Sequence, residues 1–183
     1  FYNTQILSDD GSNDPVAAGN NFGRDVTAHG NYLVVADTDN HANGQGAVIV
    51  YVLKDGKYNY LQTLKDDRDG TSNSFGDSVA MHGNYLVVGD NSNQDTSKGA
   101  VYVYVLKNGI FEFSQKIVNH RTNSNDFGDV VSIFGSYLAV ADRDGTGGNT
   151  DSNVFIYVLR QSKFEFLQMI PLRLDKDPPV DTE

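Results

Sequence analysis

Asp and Asn are the residues in this sequence with chemistry to offer, and they recur in matching loops. The first loop reads Asp37-Thr38-Asp39-Asn40-His41-Ala42-Asn43-Gly44. The second runs from Asp90 to Asp95 around Asn91-Ser92-Asn93-Gln94, and the third reads Asp142-Arg143-Asp144-Gly145 with Asp151 beyond. Two carboxylates with Asn and backbone carbonyls are hard oxygen donors of the kind a hard cation takes. The competing reading is that Asp, Asn and Gly simply make turns and solvated loops. A further acidic stretch, Asp66-Asp67-Arg68-Asp69-Gly70, carries its own Arg, which weakens a metal reading there.

Catalytic groupings are not apparent. The chain has no cysteine, which excludes disulfides, zinc-thiolate sites and thiol catalysis. His29 and His82 share a repeat position that Phe134 fills in the third copy, so packing or surface is the expectation for both. His41 and His120 stand alone in polar loops. Gly145-Thr146-Gly147-Gly148 is glycine-rich but does not lead from a strand into a helix, as a phosphate cradle would. No serine shows a nucleophile elbow. The chain is expected not to be an enzyme.

The elements that carry these loops emerge from self-comparison. Phe22-Gly23-Arg24-Asp25-Val26 recurs as Phe75-Gly76-Asp77-Ser78-Val79 and as Phe127-Gly128-Asp129-Val130-Val131, at spacings of 53 and 52 residues. Ten residues into each copy come Tyr32 to Asp37, Tyr85 to Asp90 and Tyr137 to Asp142. Ala47 to Leu53, Ala100 to Leu106 and Asn153 to Leu159 follow. Each copy ends in an aromatic run: Tyr58 to Leu64, Phe111 to Ile117 and Phe164 to Ile170. The repeats span residues 22–64, 75–117 and 127–170.

Within a copy every signal is β. Tyr, Val, Ile and Phe fill short runs bounded by Gly, Asn and Asp. Asp55-Gly56 and Asn108-Gly109 are strong two-residue hairpin signals; the third copy has Gln161-Ser162 instead, a weaker one. Gly30-Asn31, Gly83-Asn84 and Gly135-Ser136 make a tight turn between runs one and two. No segment has an apolar period of 3.6, so almost no helix is expected. Both faces of Ala47 to Leu53 are apolar, so that strand must be covered on both sides. In the fourth run Phe111 and Phe113 alternate with Glu112 and Ser114, which predicts a half-exposed edge strand. An all-β fold of three four-stranded antiparallel propeller blades, plus one extra N-terminal strand, is the expectation; a β-sandwich is the alternative, but it would not require the repeat period.

The middle copy carries a resemblance. Phe75-Gly76-Asp77-Ser78-Val79, then Gly83-Asn84-Tyr85-Leu86-Val87-Val88-Gly89-Asp90, then Gly99-Ala100-Val101-Tyr102-Val103-Tyr104, closely resembles the FG-GAP repeat of integrin-α-like β-propellers, in its short variety. The resemblance runs from Phe22 to about Ile170. Residues 1–7, with Gln5 in the place of Gln62, Gln115 and Gln168, look like the last strand of a preceding blade. The sequence departs from the family where Ala36-Asp37, Gly89-Asp90 and Ala141-Asp142 replace its Gly-Ala, so no integrin-like ligand site carries over. Calcium is the cofactor the resemblance implies, and Asp37, Asp39, Asn43, Asp142, Asp144 and Asp151 are its candidate ligands. The resemblance also implies an extracellular or cell-surface module for protein binding or adhesion. The alternative is a structural building block of a surface filament or matrix.

Composition bounds the partners. Fourteen Lys and Arg stand against 24 Asp and Glu, a net charge of −10, which argues against nucleic acid and anionic membrane. The longest apolar runs, such as Ala47 to Leu53, are about seven residues, against the roughly 20 a membrane helix needs. No Asn-x-Ser/Thr sequon occurs. No cleavable signal opens the chain, which begins with Phe1, so a trimmed or excised piece is expected. The 183 residues, 39% of them apolar, are enough for one globular domain. Closed propellers, however, need about four to eight blades. Three blades, a leading strand and an acidic tail over residues 171–183 predict part of a larger or oligomerically completed propeller. Its expected partners are another protein or further copies or segments of the same propeller.

Overall fold

The computed structural model describes residues 5–7, 21–38, 46–66, 74–92, 99–119, 126–143 and 152–171. The first blade comprises β1 (Phe22–His29), β2 (Tyr32–Asp37), β3 (Ala47–Lys54) and β4 (Lys57–Lys65). The second comprises β5 (Phe75–His82), β6 (Tyr85–Asp90), β7 (Ala100–Lys107) and β8 (Ile110–Val118). The third comprises β9 (Phe127–Phe134), β10 (Tyr137–Asp142), β11 (Asn153–Arg160) and β12 (Lys163–Pro171). Each is a four-stranded antiparallel sheet in chain order. No helix occurs among the described residues. Residues 5–7 lie outside the regular strands.

The outer hairpins show how turn chemistry closes a blade. Asp55-Gly56, Asn108-Gly109 and Gln161-Ser162 all have positive φ at both residues, the requirement of a type I′ turn whose twist matches the flanking strands. The weak third signal therefore still makes its hairpin, with Arg160 opposite Lys163. Ser162 sits at φ 65 with a Cβ to accommodate. Ser162→Gly is expected to raise stability by about 1 kcal/mol, read as a higher urea midpoint with an unchanged slope.

The fourth strands depart from simple alternation. Tyr51 pairs with Tyr60 while Val50 pairs with Gln62, leaving Leu61 as an extra residue. Ser114 and Leu167 hold the same place in β8 and β12. Such a bulge reverses which side of the sheet the following residues face. In β8, Phe111 and Phe113 therefore face blade 1, whereas Gln115 and Ile117 face blade 3. Phe111 is buried and Phe113 is 54% exposed, so the two aromatics predicted to behave alike do not. Phe113 lies at the rim, edge-on to Tyr104 with ring centroids 5.9 Å apart.

Blades stack face to face with their first strands adjacent, β1 beside β5 and β5 beside β9. The first interface packs Val34, Val50 and Leu64 of blade 1 against Phe75, Leu86 and Tyr104 of blade 2. The second packs Val87, Val103 and Ile117 against Phe127, Leu138 and Tyr157. Phe75 and Phe127, the aromatics of the repeated Phe-Gly pair, have no exposed surface at all. The core is thus divided between interfaces, as expected of stacked repeats.

A polar clamp accompanies each apolar interface. Gln62 donates from Nε2 to the Phe111 carbonyl at 3.1 Å, and its Oε1 accepts from the Phe111 amide at 2.6 Å. Gln115 makes the same pair with Phe164, at 2.9 and 2.8 Å. Gln5 repeats it on blade 1, donating to the Tyr58 carbonyl and accepting from the Tyr58 amide at 2.9 Å. An outer strand has a free backbone edge, and a primary amide matches the N–H and C=O of one residue on that edge. The bulge is what aims the amide there.

Candidate functional site at the loop end of the blades

The meander sorts connections by length. At one end of each blade lie only two-residue turns. At the other lie the β2–β3, β6–β7 and β10–β11 connections, residues 38–46, 91–99 and 143–152, with the blade-to-blade connections 66–74 and 119–126. The Asp- and Asn-rich segments therefore join strand ends that lie on one side of the sheets, the side where the first strands begin.

A continuous polar line crosses the three blades at that end. The Arg24 guanidinium pairs with Asp77, with Nε to Oδ1 at 2.9 Å and Nη2 to Oδ1 at 2.7 Å. Asn91 donates to Asp77 Oδ2 at 2.7 Å and to Asp129 Oδ1 at 3.2 Å. Arg143 Nε closes the line 3.4 Å from Asp129 Oδ2. The hydrogen bond and charge of Asp77 raise Arg24 above its ordinary pKa. Beside this line, Asp25 accepts from the Val79 amide at 2.7 Å, and Ser78 donates to the Gly128 carbonyl at 2.8 Å. Each Asp of the line is matched by an Arg. Arg24, Asp77 and Asp129 occupy the third position of the Phe-Gly repeat. Their charge reversal between copies was the readable signal.

Asp37, Asp90 and Asp142 close their second strands as fully buried carboxylates. Asn119 donates to Asp142 Oδ2 at 2.8 Å. Burial, with the Asp142 charge second, pushes the Tyr157 hydroxyl far above its usual range, so this phenol stays neutral. Among the candidate cation ligands, Asp37 and Asp142 are described and lie in different blades, while Asp39, Asn43, Asp144 and Asp151 lie outside the described residues. No group of three or more His, Cys, Asp or Glu suited to a metal occurs among the described residues. Asp66 accepts from the Tyr102 hydroxyl at 3.0 Å, while residues 67–70 of that acidic stretch, His41, His120 and Gly145 to Gly148 lie outside the described residues.

At the opposite end, His29 and His82 stack with ring centroids 5.2 Å apart, and His82 meets Phe134 at 4.9 Å. They form a row of tilted rings across the ends of the first strands, with Phe134 78% exposed, a surface contact and not a core one. Between β8 and blade 3 a groove of about 560 Å³ is walled by aromatic carbon, with Lys116 and Asn119 among its lining.

Residues 63–104 match the FG-GAP repeat, and residues 23–41 match the LVIVD repeat. The chain contains an FG-GAP repeat. The matched FG-GAP segment begins in β4 and ends in β7, so the repeat straddles two blades: an outer strand, then the first three strands of the next sheet. Gln62 lies at its edge, where the two blades are clamped. With its three four-stranded antiparallel sheets, the chain has the architecture of a β-propeller-type repeat module, and residues 63–104 of it match the FG-GAP repeat. No curated protein matches the chain.

Proposed function

We propose that this chain is a non-enzymatic extracellular or cell-surface module that binds a protein partner, in recognition or adhesion, through the loop end of its blades. The line from Arg24 to Arg143, at the end where the strands joined by every long connection begin and finish, carries this reading. Loops held on a rigid sheet scaffold are the usual contact surface. The net charge of −10 favours a basic face on the partner.

The test is surface plasmon resonance of the folded chain over immobilised matrix proteins and glycans, with Asp77→Lys as the comparison. Binding that the substitution removes supports the reading; silence across the panel overturns it.

The reading includes calcium in the β2–β3 and β10–β11 loops, with Asp37 and Asp142 at their bases. A cation held about 100-fold above its Kd adds about 2.7 kcal/mol. For a chain this size that raises Tm by roughly 5–10 °C. A thermal melt unchanged between calcium and chelator removes calcium from the reading.

The alternative, a structural building block of a filament or matrix, is favoured by one observation. The far face of blade 3 is apolar and exposed at Val130, Tyr137, Val154 and Ile170.

A further inference from the structure

We propose that His29 and His82 form a two-histidine site for a divalent late transition metal, zinc or copper, at the short-turn end of blades 1 and 2. The site lies at the opposite end from the surface read as binding a protein partner, and it stands independently of that reading.

The two imidazoles come from different blades and from the same repeat position. His29 is the last residue of β1 and His82 the last of β5, each just before a two-residue turn, Gly30-Asn31 and Gly83-Asn84. Each is paired across its own hairpin, His29 with Tyr32 and His82 with Tyr85, so the backbone that carries the rings is fixed. β1 and β5 lie side by side, which brings the ring centroids to 5.2 Å at an interplanar angle of 47°. Phe134 packs against His82 at 4.9 Å, and its place in the third copy limits the row to one pair of imidazoles.

That separation is the one a shared metal requires. Zinc takes imidazole nitrogens at about 2.0–2.1 Å in tetrahedral geometry, which, with each ring centre about 1.1 Å behind its nitrogen, puts two centroids about 5 Å apart. Neither strand has to move. His29 is exposed and His82 half-buried, and the broad, two-fold χ2 of histidine lets each ring turn a nitrogen toward the common point. Among the described residues the two imidazoles make ring contacts but no hydrogen bond or ion pair, so their nitrogens are not committed elsewhere.

Imidazole suits zinc and copper, whereas the oxygen-rich loops at the other end suit a hard cation. The chain has no thiol to compete for such a metal, and its net charge of −10 draws cations. Two protein ligands leave the remaining positions to water, so the metal exchanges. Once bound, it ties residues 53 positions apart across the first blade interface, and a clip that closes a long loop favours the folded chain.

Calorimetric titration of the whole chain with zinc chloride tests this. One zinc per chain is expected, with Tm raised by roughly 5–10 °C when zinc stands about 100-fold above its Kd. His29→Gln and His82→Gln should each weaken zinc by on the order of 100-fold, because losing either ring leaves a single-point attachment. Both should keep the parent's Tm in chelator, which separates lost binding from lost folding. His41→Gln and His120→Gln, at the chain's other two histidines, should leave the titration unchanged. With copper(II), electron paramagnetic resonance of the parent chain should show two imidazole nitrogens on the metal, and of His82→Gln only one. Absence of zinc binding overturns the proposal. So does zinc binding that survives both His29→Gln and His82→Gln, which would assign the metal to the acidic loops, and so does a copper spectrum without two nitrogens.

Discussion

Phe75→Ala is expected to destabilise the chain by about 3–5 kcal/mol, the range for emptying a fully buried phenylalanine site. The side chain has no exposed surface and sits between Val34, Val48 and Ala36 of one blade and Tyr102 of its own, whose ring centroid is 5.3 Å away. The surrounding residues are strand residues held by ladders on both sides, so the walls cannot collapse into the space. The full cavity cost should therefore appear. Phe127→Ala should behave alike, since Phe127 meets Phe155 at 5.4 Å in the same setting. Phe22 is only partly buried, packed against the third and smallest core cluster, and Phe22→Ala should cost clearly less. Guanidinium melts of the three variants give the comparison. Equal losses at Phe22 and Phe75 would mean that the interface between blades is not what stabilises the aromatic.

Gly99→Ala should be nearly as damaging, for a different reason. Gly99 forms a parallel bridge with Phe127 of the next blade, and its φ of 76 is one that side chains rarely adopt. A Cβ there would also lie 2.1 Å from the Phe127 carbonyl oxygen. That obstacle is backbone and cannot swing aside. Left-handed strain and overpacking each cost about 1–3 kcal/mol, so about 3 kcal/mol or more is expected, with blades 2 and 3 forced apart. Ser152, at the matching place in blade 3, already carries a side chain, and Ser152→Ala should fall within about 0.5 kcal/mol of the parent. Thermal and urea melts of the pair isolate the contact. A tolerated Gly99→Ala would show that the inner ends of the blades are not in close contact.

Both results reflect one design, in which stability is stored between sheets and each interface depends on the next sheet being present. The same holds for the glutamine clamps. Gln62 and Gln115 are satisfied only because an outer strand of another blade offers one N–H and one C=O in register. Apolar packing sets the spacing, and the directional amide pair sets the register.

Much of this was written in the sequence. The repeat, the all-β character, the four strands per copy and their hairpin turns follow from local rules: period-two alternation, β-branched and aromatic runs, and turn residues that accept positive φ. The repeated Phe-Gly pair marks three equivalent positions, but only the stacked blades show that Phe75 and Phe127 are fully buried while Phe22 is partly so. The bulges at Leu61, Ser114 and Leu167 were not legible, since an extra residue is visible only against the partner strand that lacks one. Alternation alone placed Phe113 with Phe111 and gave Gln115 no role. The polar line from Arg24 to Arg143 escaped for the same reason, as its members come from different repeats and meet only when the blades stack. Local chemistry determined the blades and which end carries the acidic loops. Only the tertiary structure decided how one blade grips the next, because that grip joins a side chain to the backbone of a residue 49 positions away.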